Sequence, residues 1–100
     1  MYYVYILYSS STDKYYVGCT ENYEQRLIQH NTSERNTYTS KYRPWELKAV
    51  FEAGITLAEV RKWENFIKKQ KSRKLIESLI GEVELNGEIA HLVRVPLVRD

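Results

Sequence analysis

Hydrophobic and aromatic residues dominate two short runs at the amino-terminal end of the chain. Residues 2–8 (YYVYILY) and 15–20 (YYVGCT) are rich in aromatic and β-branched side chains, which are the residue types enriched in strands. The intervening SSSTDK is polar and turn-forming. The pattern predicts a β-hairpin.

The register of this hairpin depends on the length of its turn. A tight turn at residues 10–11 would place Tyr5 opposite Tyr16 and Tyr3 opposite Gly18. Any even number of loop residues leaves Tyr5 and Tyr16 on the same face, because antiparallel partners share a face. We therefore expect Gly18 to leave open space beside a phenol.

Helical patterns follow the hairpin. Asn22 is a candidate N-cap with Gln25 at the capping-box position, and residues 32–45 are polar and without periodicity. Residues 46–52 alternate loosely and predict a third strand. Two further helices are predicted, each with its own cap. The first begins at Thr56, with the stripe Leu57, Val60, Trp63 and Ile67. The second begins at Ser72, faces the core through Leu75, Ile76, Leu79 and Ile80, and ends at Gly81.

This order of elements predicts an α+β fold, with a small three-stranded antiparallel sheet flanked by helices. A chain of 100 residues that is 43% hydrophobic is long enough for one core, so we assign one domain to residues 1–81. The tail, residues 82–100, has an Asn-Gly turn signal typical of a weak hairpin. Its ending equally resembles a loosely ordered extension made by translation through a neighbouring transfer-RNA gene.

Charge and cysteine content restrict the class of protein only mildly. A net charge of +2 neither requires nor excludes a polyanionic partner. Cys19 is the only cysteine, so an intramolecular disulfide and a thiolate zinc cluster are both excluded. The chain shows neither a signal-peptide pattern nor a stretch of about 20 apolar residues that would span a membrane. We therefore expect a soluble, cytoplasmic protein without membrane contact.

One carboxylate lies at an unusual position. On a helical wheel Glu64 falls between Leu57 and Val60, at the border of the apolar stripe. A carboxylate there is costly unless it is paired or holds a metal. An ion pair with Lys68 or Arg61, each one turn away, is the commoner explanation.

The other polar candidates are equally ambiguous when each is taken alone. Tyr5 and Tyr16 suit a strand, and tyrosine packs well in cores. Arg26 and His30 are four residues apart and project together from one helical face, where a histidine is usually incidental. A guanidinium beside phenols does, however, offer bidentate recognition of phosphate.

Taken together, these motifs resemble the GIY-YIG nuclease superfamily, and closely its small stand-alone bacterial proteins. Residues 3–5 (YVY) stand where the family has Gly-Ile-Tyr, and residues 16–18 (YVG) where it has Tyr-Ile-Gly. Arg26 and His30 match a helical arginine and the histidine one turn later. The loop and third strand (YTSKYRPWEL) and the helix that carries Glu64 (RKWENFIKKQKSRKLIESLI) are also similar, so that the resemblance covers residues 2 to 80.

The resemblance implies a site that hydrolyses phosphodiester bonds in DNA. Glu64 would bind a divalent cation, Mg²⁺ or Mn²⁺, and Arg26 would hold a phosphate oxygen. Tyr16 is the first candidate for the general base and Tyr5 the second. A free phenol has a pKa near ~10, so nearby cations would have to lower it. We expect Arg26, His30 and the metal to be those cations.

Three residues depart from the family pattern. Tyr3 replaces the first motif glycine, Cys19 stands where some relatives have a lysine, and Ile76 stands where certain relatives have an asparagine near the metal. We therefore expect a leaner site and assume neither strong nor sequence-specific cleavage.

Basic residues surround the end of the Glu64 helix. A run of this kind is usually a solvated face, but next to Glu64 it would neutralise phosphates that flank the scissile one. The candidate DNA-binding residues are Lys41, Arg43, Lys68, Lys69, Lys71, Arg73 and Lys74.

The sequence thus predicts a magnesium-dependent endonuclease, acting in DNA repair on branched or flapped DNA, with a protein partner as a possible source of targeting. Recognition would depend on DNA structure rather than base sequence, because no base-reading pattern is evident. The main alternative is a nucleic-acid-binding module of the same fold with weak or no catalysis. A structural protein whose tyrosines only fill the core ranks third.

Overall fold

The computed structural model describes residues 1–32, 39–81 and 92–96. The elements follow the predicted order, with two additions: a short 3₁₀ helix within residues 32–45, where no periodicity was found, and a short strand at the end. They are β1 Tyr2–Ser9, β2 Lys14–Thr20, α1 Tyr23–Thr32, the 3₁₀ helix Thr39–Tyr42, β3 Glu46–Gly54, α2 Leu57–Lys69, α3 Arg73–Ile80 and β4 Val93–Arg94. Within these described ranges, none of the helices has the length and apolarity required to span a membrane.

The strands form one antiparallel sheet in the order β2-β1-β3-β4. The predicted α+β class is therefore confirmed, whereas the predicted count of three strands is wrong. The fourth strand comes from the tail, where the backbone N–H of Val95 also donates to the carbonyl of Val50 at 2.8 Å. A strand of two residues is too short to show a hydrophobic period. The predicted tail hairpin at residues 86–87 lies outside the described residues.

The predicted hairpin is confirmed, but its register is wrong by two residues. Gly18 lies opposite Tyr5, and Tyr16 lies opposite Leu7. The turn has four residues rather than two, because Ser9 pairs with Lys14. A shift of two preserves the side-chain alternation, so Tyr5 and Tyr16 share a face as predicted.

Side-chain hydrogen bonds within the hairpin accompany the longer turn. The hydroxyl oxygens of Ser9 and Thr12 lie 2.7 Å apart, and the Tyr8 hydroxyl donates to Asp13 Oδ1 at 2.7 Å. Asp13 has a φ of 55°, a left-handed conformation that aspartate tolerates better than most residues. These polar residues stabilise a wide turn that a strand pattern alone does not reveal.

Helices cover both faces of the sheet. On one face, side chains of β1 and β3 pack against α2 and α3, in a cluster that includes Val4, Ile6, Phe51, Val60, Ile67 and Leu79. On the other face, Tyr5, Leu7, Trp45 and Val50 form a second cluster with Tyr23 and Leu27 of α1. Because β1 is central and covered twice, its hydrophobic run is continuous rather than alternating.

The predicted helix caps are confirmed. The side-chain oxygens of Asn22, Thr56 and Ser72 each accept a hydrogen bond from the backbone N–H three residues on, at 3.1, 3.2 and 3.0 Å.

The predicted apolar stripe of α2 is confirmed in the middle of the helix, where Val60 and Ile67 are buried. Leu57, in the first turn, is 41% exposed.

Candidate functional site

Tyr5 occupies the centre of the sheet and is only 1% exposed. Its ring lies over Gly18, where an added Cβ would come 2.9 Å from Tyr5 Cε1 and closer still to the hydroxyl end of the ring. Any side chain at position 18 would therefore collide with the phenol. The space that we predicted beside Gly18 is filled by Tyr5, not left next to Tyr3.

A chain of hydrogen bonds joins Tyr5 to the helix α1. The Tyr5 hydroxyl lies 2.8 Å from Nε2 of His30, and Nδ1 of His30 lies 2.9 Å from Oγ1 of Thr39. Nε of Arg43 donates to the backbone carbonyl of His30 at 2.7 Å. His30 is thus half-buried and anchored rather than incidental on an exposed face, and Thr39 joins the site although no sequence signal pointed to it.

These surroundings move the pKa values of both His30 and Tyr5 away from neutral pH. Burial, together with the positive charges of Arg26 and Arg43, lowers the pKa of His30 to about 4. Burial raises the pKa of Tyr5 above its usual range, and proximity to Tyr16 adds to the rise, which Arg26 partly opposes. At neutral pH a protonated phenol therefore donates to Nε2 of a neutral imidazole, and Nδ1–H donates to Thr39. The expectation that His30 acts as a cation is wrong.

Tyr16 lies on the same face but nearer the surface. Its ring centroid is 5.0 Å from that of His30, 6.3 Å from that of Tyr5 and 6.1 Å from that of Trp45. The residue is half-buried and lines a groove of about 610 Å³ between the hairpin turn and the α2–α3 junction. Of the two motif tyrosines Tyr5 and Tyr16, Tyr16 is therefore the one that borders open space.

Glu64 projects from α2 and is paired. Its Oε1 accepts a hydrogen bond from Nζ of Lys68 at 2.6 Å, so the predicted ion pair one turn along the helix is present. The thiol of Cys19 lies against the same carboxylate. Burial raises the pKa of Cys19 to about 11, and the hydrogen bond to Glu64 raises it further. Cys19 thus stays a neutral donor beside Glu64.

The two halves of the site lie on opposite sides of the edge strand β2. Tyr16 alternates onto the α1 side, whereas Cys19 packs on the side covered by α2. Lys68 connects them, because its ammonium is bonded to Glu64 and also lies 5.6 Å from the centroid of the Tyr16 ring. Arg26 is exposed on α1, where Nη1 donates to Oε1 of Gln29 at 3.2 Å.

The donor set at Glu64 fits only one kind of metal ion. Among residues 1–32, 39–81 and 92–96 there is no group of three or more His, Cys, Asp or Glu side chains that could hold a metal. A single carboxylate suits a hard cation that keeps most of its waters, as Mg²⁺ does. Glu64 would hold such an ion once its oxygen is free of Lys68.

The candidate DNA-binding residues divide into two groups. Lys68, Lys71 and Arg73 line the groove beside Tyr16, together with Lys14, which no motif had indicated. The others lie elsewhere. Lys41, Lys69 and Lys74 are exposed, and Arg43 is half-buried with its bond to His30.

Arg73 is held in place within that groove. Its guanidinium bonds to Oδ1 of Asp13 at 2.5 Å and to the Asp13 carbonyl at 3.0 Å. It also lies 4.9 Å from the centroid of the Tyr15 ring. These contacts tie the start of α3 to the hairpin turn, so Arg73 shapes the groove in addition to charging it.

Comparison with known proteins shows the family of this chain. A family model for the GIY-YIG catalytic domain matches residues 1–77. The chain belongs to the GIY-YIG family. The predicted resemblance is confirmed, and the chain carries a nuclease domain of the GIY-YIG superfamily. A comparison with curated proteins finds no match.

All five candidate catalytic residues fall within the GIY-YIG domain. They are Tyr5, Tyr16, Arg26, His30 and Glu64. The two motif tyrosines lie in β1 and β2, and Glu64 lies in α2. The strand β4 comes after the matched region, so it is an addition to the sheet outside the family match.

Proposed function

We propose that this GIY-YIG protein is a divalent-metal-dependent endonuclease that hydrolyses phosphodiester bonds in DNA. The observation that carries the proposal is the position of Tyr16. Its ring borders a basic groove and lies under Lys68, which is bonded to Glu64. A phenol and a cation thus border a groove that a phosphate backbone could enter, and the same cation is bonded to the carboxylate of Glu64.

Each residue has a role that its surroundings support. Glu64 would hold Mg²⁺ or Mn²⁺, which when bound neutralises charge on the phosphate and lowers the pKa of water. Arg26 is exposed and would bind a non-bridging phosphate oxygen through its planar fork of donors. Tyr16 would accept the proton of the attacking water. Tyr5 is committed as a donor to His30, so it positions that imidazole rather than acting as the base.

The groove supports recognition of DNA by structure rather than by base sequence. Its charged lining consists mainly of Lys14, Lys68, Lys71 and Arg73, which contact phosphates irrespective of sequence. Branched or flapped DNA is the substrate that we propose, with a partner protein as a source of targeting. The lone cysteine supports a reducing, cytoplasmic setting.

A nucleic-acid-binding module without catalysis is the second candidate function. The observation in its favour is the bond between Lys68 and Glu64, which occupies the oxygen that a metal would need. In that case the basic groove would bind DNA, and the carboxylate would serve only as a partner for lysine.

Cleavage of a labelled flapped duplex with Mg²⁺ tests the proposal. We expect Tyr16→Phe and Glu64→Gln each to lower the cleavage rate by about 10²-fold or more, the scale typical of general-base loss. Tyr3→Phe makes the same change on the hairpin at a ring that packs against Tyr23 outside the groove, and it serves as the control.

The same assay separates the alternatives. A wild type that binds DNA in a salt-dependent way but never cuts it would establish the binding module instead. Equal cleavage by the wild type and Glu64→Gln would show that Glu64 does not hold the metal.

A further inference from the structure

Lys68 has two neighbours that belong to the proposed catalytic machinery. Its ammonium is 2.6 Å from Glu64 Oε1 and 5.6 Å from the centroid of the Tyr16 ring. The side chain of Glu64 is 16% exposed, and that of Lys68 is 45% exposed. The ammonium therefore partly covers a carboxylate that is otherwise mostly shielded from water.

The helix determines this pairing. Residues four apart lie on the same face of a helix, and a glutamate that precedes a lysine by four residues is the favourable orientation. The lysine side chain is a flexible four-carbon stem with a compact charge, so the ammonium can leave the carboxylate without movement of α2. Lys68 also lines the groove beside Tyr16, so the groove offers its ammonium a second position.

Another cation of the groove is already engaged elsewhere. Arg73 is held by Asp13 and by the Tyr15 ring. Within the described part of the chain, Glu64 forms an ion pair with Lys68. A cation that approaches Glu64 must therefore compete with Lys68 first.

We propose that Lys68 is an internal counter-ion of Glu64 that competes with a divalent cation for the carboxylate. When the cation binds, the released ammonium binds a DNA phosphate in the groove. This inference rests on the proposed function, because it takes Glu64 as the metal ligand. It assigns Lys68 two opposite effects: it weakens metal binding in the free protein and strengthens DNA binding in the loaded protein.

Binding of Mn²⁺ to the full chain without DNA, measured by electron paramagnetic resonance, tests the first effect. Lys68→Met should bind Mn²⁺ roughly 2- to 5-fold more tightly than the wild type, which is the range of an exposed ion pair. Lys68→Arg keeps the charge and should stay near the wild type. Lys62→Met is the matched control, since it removes a lysine from the same helix beside Trp63.

Retention of a flapped duplex in Ca²⁺, a hard oxygen-seeking cation, tests the second effect. Lys68→Met should bind this DNA more weakly, and the slope of log affinity against log salt should fall by about one. Lys62→Met should keep the slope of the wild type. A purely structural role for Lys68 would not change metal and DNA affinities in opposite directions.

The outcomes distinguish this inference from the proposed function. If Glu64→Gln binds Mn²⁺ as tightly as the wild type, the metal role of Glu64 fails, and both proposals fail with it. If Glu64→Gln loses Mn²⁺ but Lys68→Met binds it no more tightly than the wild type, only the counter-ion role is overturned. Unchanged DNA affinity in Lys68→Met would overturn the transfer to phosphate. Thermal unfolding curves verify that each variant is folded.

Discussion

Tyr5 and Tyr16 are chemically identical residues on the same face of one hairpin, yet their surroundings differ. Tyr5 is enclosed by the sheet and α1, and burial raises its pKa. Tyr16 borders the groove and lies beside Lys68. The difference comes from position in the sheet, because β1 is central and β2 is an edge strand.

At the residue scale, His30 should make stability depend on pH. Burial lowers its pKa to about 4 in the folded protein, whereas an unfolded histidine titrates near ~6.5. Between these values the unfolded chain binds the extra proton, so stability should fall as pH falls from about 6.5 to about 4. We expect His30→Gln to flatten this part of the profile. Urea denaturation at several pH values measures the free energy of unfolding of the wild type and of His30→Gln. Parallel pH profiles for these two proteins would show that His30 is not the source of the pH dependence.

Gly18 should be intolerant of any side chain. In Gly18→Ala the new methyl group would meet the Tyr5 ring, and overpacking of this kind costs about 1–3 kcal/mol. Gly81→Ala is the control, because Gly81 is exposed with an ordinary φ of −75°. Urea denaturation measures the free energy of unfolding of both variants.

A double-mutant cycle identifies the cause of that loss. If the Tyr5 ring is what the methyl group meets, Gly18→Ala should cost less in a Tyr5→Leu background than in the wild type. An equal cost in both backgrounds would show that the collision with Tyr5 is not responsible.

At the scale of elements, Ser72 separates two helices that the sequence could have continued as one. Its hydroxyl accepts from the backbone N–H of Leu75 at 3.0 Å, and Lys71 just before it has a φ of 48°. The break turns α3 back onto the sheet, where Leu79 is buried. The junction also forms one wall of the groove.

Loss of this cap should destabilise the protein and leave the junction less well defined. We expect Ser72→Ala to lower the free energy of unfolding by about 1 kcal/mol, whereas Ser72→Asp should retain most of it because aspartate also caps. Ser78→Ala is a matched control inside α3, where the hydroxyl only bonds to the Lys74 carbonyl. Chemical denaturation compares the free energies of unfolding of these three variants. Equal losses of stability in Ser72→Ala and Ser78→Ala would argue against a cap role for Ser72.

At the scale of the whole molecule, the tail completes the fold. Arg94 of β4 donates from Nη1 to the carbonyls of Leu79 and Ile80 at 2.8 and 3.3 Å, and from Nη2 to the carbonyl of Lys48 at 3.2 Å. The first two carbonyls lie at the end of α3, which favours a cation. Leu92 is buried in the cluster shared by the sheet, α2 and α3. These contacts are those of an integral strand, although β4 follows the region matched by the family.

Replacing Arg94 should therefore destabilise the entire domain. Arg94→Met keeps much of the packing over the Phe51 ring but leaves three carbonyls without this donor, and we expect a loss of about 1–3 kcal/mol. The variant Arg61→Met removes an exposed arginine from α2 and serves as the control. Thermal unfolding of the full chain measures the effect. Equal midpoints for Arg94→Met and the control would show that the tail does not support the core.

The sequence by itself determined the first three strands, the helices α1, α2 and α3, and the family of this protein. Strand composition, the caps at Asn22, Thr56 and Ser72, and the apolar period of α2 are local features, so they were visible without a structure. The motif tyrosines, Arg26, His30 and Glu64 were likewise identified by type and order along the chain.

Only the tertiary structure decided how these residues meet. The four-residue turn set the hairpin register and placed Gly18 under Tyr5. Burial made His30 neutral, and Thr39 and Cys19 became partners through contacts between elements. The short strand β4 joined the sheet from the tail. These properties depend on distances between residues far apart in sequence and on exclusion of water, and no local pattern along the chain encodes either.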